Sequence, residues 1–272
     1  MSQEIVNVFI NEYEPMVHMF YQQKGSRLRG TIRTKTGVNA ESVYFPKAGV
    51  GTATKKARHG KIQPMSVDHD RVRCFIDAYY AGDWIDEADM VRTNINEKQV
   101  LAEVASAALG QNTDDLIINA AYQTTESLTE AGSNGLTKAK VLEAVKFFGE
   151  NEAFDGDITF VVAPQQWNDL LNITEFANAY YVDSKPFPNM PYKQANWLGV
   201  NFIMSNRLAK AGNNRKCLIY NKTALGHAMN SDITTAAQYD ATRDSYWVVS
   251  KNMEGTCLID SRGVLTVECA EA

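Results

Sequence analysis

The period of the apolar positions changes several times along the chain, and each change marks an element. Residues 2–23 carry Ile5, Val8, Phe9, Met16, Met19 and Phe20 near helical spacing, interrupted by Pro15, which predicts two short helices or one kinked helix. From residue 24 to 61 the helical period disappears. Gly25, Gly30, Gly37, Gly49, Gly51 and Gly60 punctuate short β-prone pieces such as Ser42-Val43-Tyr44-Phe45, the pattern of a long hairpin arm with a tip at residues 49–60. Val67, Val72, Phe75, Ile76 and Tyr79 supply its return strand.

Helical spacing resumes at residues 96–109, with Val100, Leu101, Val104, Ala105 and Ala108 on one face, and again at 114–122 with Leu116, Ile117 and Ala120. One long helix is expected here, with a break near Gly110 left open. A turn at Ser133-Asn134-Gly135 leads to Thr137 as N-cap of a helix through Phe148. The turn Asp155-Gly156 then enters a strand at 158–162, and Pro164 opens a helix that carries Trp167, Leu170 and Leu171. Short strands are predicted at 199–204, 216–220, 233–239, 246–250, 256–259 and 264–267, and residues 224–229 fit a short helix or turn. The class is α+β, with strands clustered late in the chain. No fixed-period repeat or low-complexity stretch interrupts it.

Composition adds one fact that the pattern lacks. The 272 residues are 44% hydrophobic and 22% charged, ordinary for a folded protein, and their net charge is −5. Residues 24–73, however, hold twelve Lys/Arg against three Asp/Glu, so that segment is +9 and the remainder −14. Opposite signs on different parts of one chain suit a protein that meets copies of itself, and they also suit nucleic-acid binding. Nearly forty glycine-punctuated residues with little to bury exceed an ordinary connection, so the arm is expected to find its packing partner on another molecule. The start has acids where a secretory signal would be positive, and no apolar run approaches the roughly 18 residues of a membrane span, which predicts a soluble protein made in the cytoplasm.

Readings as an enzyme or metal protein find little support. Cys74, Cys217, Cys257 and Cys269 are far apart in sequence without CxxC spacing and are expected as buried, reduced thiols. Asp83, Asp86 and Asp89 would share a face if helical and could face a hard cation, but acids at a solvated helix start are the simpler reading. His18, His59, His69 and His227 accompany no nucleophile elbow or paired-His motif. Residues 49–55 combine glycines with Lys55 at a spacing unlike that of a phosphate loop, and no helix opens after them. No catalytic, cofactor-binding or metal-ligating residue is assigned.

The element order resembles the Hong Kong 97 fold of tailed-phage major capsid proteins, and so does the wording. Phe20-Tyr21-Gln22-Gln23-Lys24-Gly25-Ser26-Arg27-Leu28-Arg29, Lys55-Lys56-Ala57-Arg58-His59-Gly60, Ala107-Ala108-Leu109-Gly110 with Asp114-Asp115-Leu116-Ile117, and Val161-Val162-Ala163-Pro164-Gln165-Gln166-Trp167 carry the resemblance. Leu198-Gly199-Val200 and Cys257-Leu258-Ile259-Asp260-Ser261-Arg262-Gly263-Val264 extend it over almost the whole chain. It implies an N-terminal arm at 1–23, an extended β-hairpin loop at 24–80 lying over a neighbouring subunit, and a peripheral domain at 81–154 whose long spine helix covers about 96–122. It further implies a mainly axial domain at 155–240 and C-terminal strands at 241–272 returning to the peripheral domain.

The function so implied is self-assembly, as pentamers and hexamers, into an icosahedral virion capsid around double-stranded DNA, in the host cytoplasm and without catalysis. The expected inter-subunit contacts on the loop are Lys47, Lys55, Lys56, Arg58 and Lys61. Many family members carry a long helical scaffolding segment that a protease removes, whereas only residues 2–23 precede the arm here, so the chain is either the processed form or, as Met1 favours, one with a separate scaffolding protein as partner, beside a portal and packaged DNA. Two alternatives are a nucleic-acid-binding protein using the same five cations as phosphate contacts, and an encapsulin-type compartment shell. The arm's lack of interleaved aromatics argues against the first, and its glycine-rich, phage-like wording against the second.

Overall fold

The computed structural model describes residues 22–92, 96–128, 135–154, 156–177 and 194–271. The helices expected at 2–23, but for Gln22 and Gln23, and the residues Ser133, Asn134 and Asp155 lie outside this set. In chain order the elements are β1 (Arg33–Lys35), β2 (Ser42–Ala48), β3 (His69–Phe75), β4 (Asp77–Asp86), α1 (Glu87–Arg92), α2 (Glu97–Ala121), β5 (Ser127–Leu128) and α3 (Lys138–Glu150). There follow β6 (Ile158–Val162), α4 (Pro164–Leu171), α5 (Thr174–Ala177), β7 (Gln194–Trp197), β8 (Val200–Met204), β9 (Lys210–Ala211) and β10 (Asn214–Asn221). β11 (Leu225–Met229), β12 (Thr234–Asp240), β13 (Ser245–Leu258) and β14 (Val264–Ala270) close the chain. The polypeptide divides into two compact units, one formed by Tyr79–Gln111 and Asp232–Asn252 with residues 22–25, the other by Ser26–Ala78, Asn112–Ser231 and the described residues from Met253 on.

The second, larger unit is built on a sheet of order β5-β14-β10-β6-β8-β7, with β9 added beside β10. β6 pairs in parallel with β8 and antiparallel with β10, and all five of its residues are buried, as a strand covered on both faces requires. Phe176 joins Trp167, Trp197 and Phe202 edge-on at 5.6–6.2 Å, and Phe160 stacks on Phe202 at 5.3 Å. Such pairs add to the burial of large aromatic surfaces. Thr137 caps α3 by accepting from the Lys140 amide, and Pro164 occupies the first turn of α4, both as the sequence predicts. The four cysteines are free and buried, Cys217 and Cys269 in the main core and Cys74 and Cys257 in a second, smaller apolar cluster.

Residues 24–41 depart from their reading as the first limb of an arm. Leu28 and Ile32 are buried in the main core of this unit. Asp114, itself buried, accepts from Ser26 Oγ at 2.5 Å and from the amides of Arg27 and Leu28 at 3.1 Å. β1 then pairs in parallel with β11. The residues read as a short helix or turn at 224–229 form this strand β11, buried at every position and flanked by β1 and β13.

β13 runs unbroken for 14 residues where two short strands were expected, because the intervening polar residues are structural. Buried Glu254 accepts from Thr113 Oγ at 2.8 and 3.0 Å and meets His227 Nε2 at 3.0 Å. At Gly255 any Cβ would stand 1.7 Å from the Phe75 carbonyl oxygen, so only glycine lets the chain pass the root of the hairpin. Likewise α2 is continuous over 25 residues, through Gly110. Thr113 and Asp114, polar residues that compete with helical backbone when unpartnered, here spend their side chains on other segments.

In the first unit, β12 pairs antiparallel with Ser245–Lys251 of β13. Trp84 packs on Trp247 with ring centroids 4.7 Å apart, and Arg243 lies over Trp84 at 4.6 Å. Asp83 and Asp86 stand on strand β4 and Asp89 on α1, so the three acids do not share a helical face as the cation reading required. Asp86 instead accepts from the Ala88 amide at the start of α1.

Candidate assembly surface

β2 and β3 form a two-stranded antiparallel hairpin with Ser42 opposite Phe75 and Ala48 opposite His69. Its residues alternate as a half-buried strand pair must. Val43, Phe45 and Cys74 turn inward to a small apolar cluster with Val38, Ile76, Ala228, Cys257 and Ile259. The opposite face is exposed and carries Tyr44 opposite Arg73 and Pro46 opposite Arg71.

Beyond the root, the Gly49 amide donates to Asp68 O at 2.8 Å and regular pairing stops. The tip, residues 49–68, contains one turn, in which the Gly60 amide reaches Ala57 O at 3.0 Å and His59 takes φ +64°. Val50 is 80% and Ile62 77% exposed, and Met65 is also exposed, so the tip offers apolar surface to solvent within a strongly cationic segment.

The five cations expected to make contacts divide into two groups. Lys55, Lys56, Arg58 and Lys61 lie together on the exposed tip, and none has a carboxylate partner among the described residues. Lys47 belongs to the root, where its Nζ is 3.2 Å from Asp260, which also accepts from Arg262 at 2.9 Å. Burial would raise the Asp260 carboxyl, but its bonds to Arg262 and Lys47 hold it below the usual carboxylate range. Lys47 is therefore engaged within its own chain. Sequence reasoning missed the aromatics of the root: Tyr44 and Phe75 do alternate with Arg71 and Arg73 in space. Only the strand register, Tyr44 against Arg73, could have revealed it.

A family model described as phage capsid protein matches residues 5–271. The chain belongs to the phage capsid protein family. It is thus a structural protein of the virion capsid, and its fold is Hong Kong 97-like. Among solved structures, a chain from Mycobacterium phage Che8 is similar with TM-score 0.75 at 13% identity, covering 96% of this chain and 97% of that one. The capsid of the cyanophage P-SCSP1u is similar with TM-score 0.72 at 16% identity, covering 98% and 94%. The capsid of a native GTA particle, computed with C5 symmetry, gives TM-score 0.73 at 10% identity, covering 98% and 97%. No curated protein matches the capsid protein's sequence. Identities this low carry the fold and leave the contacts of the arm to be argued from this chain.

Proposed function

We propose that this capsid protein is the repeating unit of an icosahedral shell enclosing a double-stranded DNA genome, assembled in the host cytoplasm as pentamers and hexamers of itself. The hairpin of β2 and β3 with its tip is the extended loop that lies over a neighbouring subunit, α2 is the spine helix, and the chain's role is structural, without catalysis. Affinity comes from burial between copies, and an adaptable tip lets one sequence serve in five-fold and six-fold rings. The observation that carries this reading is the tip itself. Twenty residues that bury almost nothing of their own fold present Val50, Ile62 and Met65 among Lys55, Lys56, Arg58 and Lys61, which have no carboxylate partner among the described residues. The chain outside residues 24–73, with net charge −14, offers them a complementary surface on the next copy. A separate scaffolding protein and a portal are the expected assembly partners, with packaged DNA against the inner face.

The test is electron microscopy of the purified protein, expressed with and without the genes that flank its own. Uniform closed shells, or rings of five and six, are expected. A protein that stays monomeric or dimeric in the presence of its flanking gene products, and instead shifts duplex DNA in a salt-dependent way, would support nucleic-acid binding by the same cations.

A further inference from the structure

The exposed face of the hairpin root carries a ladder of alternating arginine and aromatic side chains. Arg71 lies over the Tyr44 ring at 4.7 Å, and Arg73 lies over the Phe75 ring at 4.3 Å and beside Tyr44 at 6.0 Å. The order across the two strands is Arg71, Tyr44, Arg73, Phe75. Tyr44 remains 47% and Phe75 54% exposed. Arg73 Nε donates to Ser42 Oγ at 3.0 Å, while no carboxylate accepts from either guanidinium among the described residues.

A guanidinium held over a ring can still turn N–H groups outward to grip a carboxylate through two parallel bonds; on Arg73, whose Nε is given to Ser42, the two terminal nitrogens would supply them. The rings hold these long side chains partly ordered before any partner arrives, which lowers the entropic cost of binding. Their support is rigid: the reverse side of the same strands is locked in the core by Val43, Phe45 and Cys74. Tyrosine, phenylalanine and arginine on a fixed scaffold are the composition of an interface centre, where a few residues carry most of the affinity.

We infer that this arginine–aromatic ladder is the anchoring contact between subunits, and that its partner is a carboxylate-bearing surface of a second copy of this chain. The sign of the charge decides the occupant: the hairpin lies in the +9 segment, and the remainder of each copy carries −14. The inference rests on the shell reading and deepens it. The ladder on the rigid root fixes register, and the tip beyond it supplies adaptable contact.

The test compares wild-type protein with R71E/R73E and R71K/R73K double variants, purified after nuclease treatment. Assembly is followed by sedimentation and electron microscopy over a range of protein concentrations, and folding by the thermal midpoint of the free subunit. Wild-type protein is expected to assemble without nucleic acid. Charge reversal should raise the concentration for half-assembly by about tenfold or more at an unchanged midpoint. The lysine variant, which keeps charge but loses the planar stack and the paired donors, should fall between, and it decides the matter if the reversed protein does not fold. Assembly of the folded variants at the wild-type concentration overturns the ladder's role and leaves the shell reading intact. Wild-type assembly that requires added DNA, with DNA affinity lost in both variants, overturns it in favour of a nucleic-acid partner. Wild-type protein that forms no shells even with its flanking gene products sinks the shell reading, and this inference with it.

Discussion

The root and the tip of one hairpin teach opposite lessons. Both come from the same glycine-punctuated, β-prone, basic stretch, yet the root turns Val43, Phe45 and Cys74 into an apolar cluster while the tip leaves Val50 and Ile62 in solvent. What separates them is the presence of a receiving surface. β11 and the end of β13 supply Ala228 and Cys257 beneath the root, and Gly255 allows the backbone to approach Phe75 closely. Among the described residues no apolar cluster receives residues 49–68, so sequence changes on the inward face of the root should register as stability, and changes in the tip or on the root's exposed face as assembly.

The largest loss of stability is expected where the root meets its surface. Phe45→Ala removes a side chain only 2% exposed from the small cluster and should cost about 3–4 kcal/mol of subunit stability, read by denaturant unfolding. Glu254→Ala comes next. It strips Thr113 and His227 of their shared buried acceptor and should cost about 2–3 kcal/mol, with partial rescue by glutamine, which keeps an acceptor for Thr113.

A smaller, pH-dependent loss is expected at Glu271, whose carboxyl is held down at about 2 by hydrogen bonds from Arg215 and Lys210. Because the folded value lies below the usual 4.5, the stabilisation is complete above pH 4.5 and disappears as the pH falls toward 2. Glu271→Gln should therefore cost about 1 kcal/mol at neutral pH, and its unfolding curve should merge with that of the wild type toward pH 2. Equal differences at both pH values would contradict this account.

The same contrast explains how far the sequence could be read. Elements with a plain local signal were legible: the fully buried β6, the capped α3, and α4 opening at Pro164. Readings failed where a polar or glycine residue has a tertiary reason to be there. Asn252, Glu254 and Gly255 fell between the two strands predicted where β13 runs, and Gly226 with His227 disguised β11. Residues 24–41 looked like an arm because only Leu28, Ile32 and Val38 mark their burial, and the buried Asp114 that holds the backbone of Arg27 and Leu28 is a long-range partner that no local pattern displays. Of the candidate contacts, the cluster of tip cations was visible as composition. The engagement of Lys47 by Asp260 and the arginine–aromatic ladder depend on which strands pair, and periodicity does not reveal that.

The most direct test of the division between root and tip is deletion of residues 48–60, followed in parallel by thermal unfolding of the subunit and electron microscopy of assembly. The account predicts a subunit within about 0.5 kcal/mol of wild-type stability that no longer forms stable shells. Normal shells from the deleted protein would contradict it.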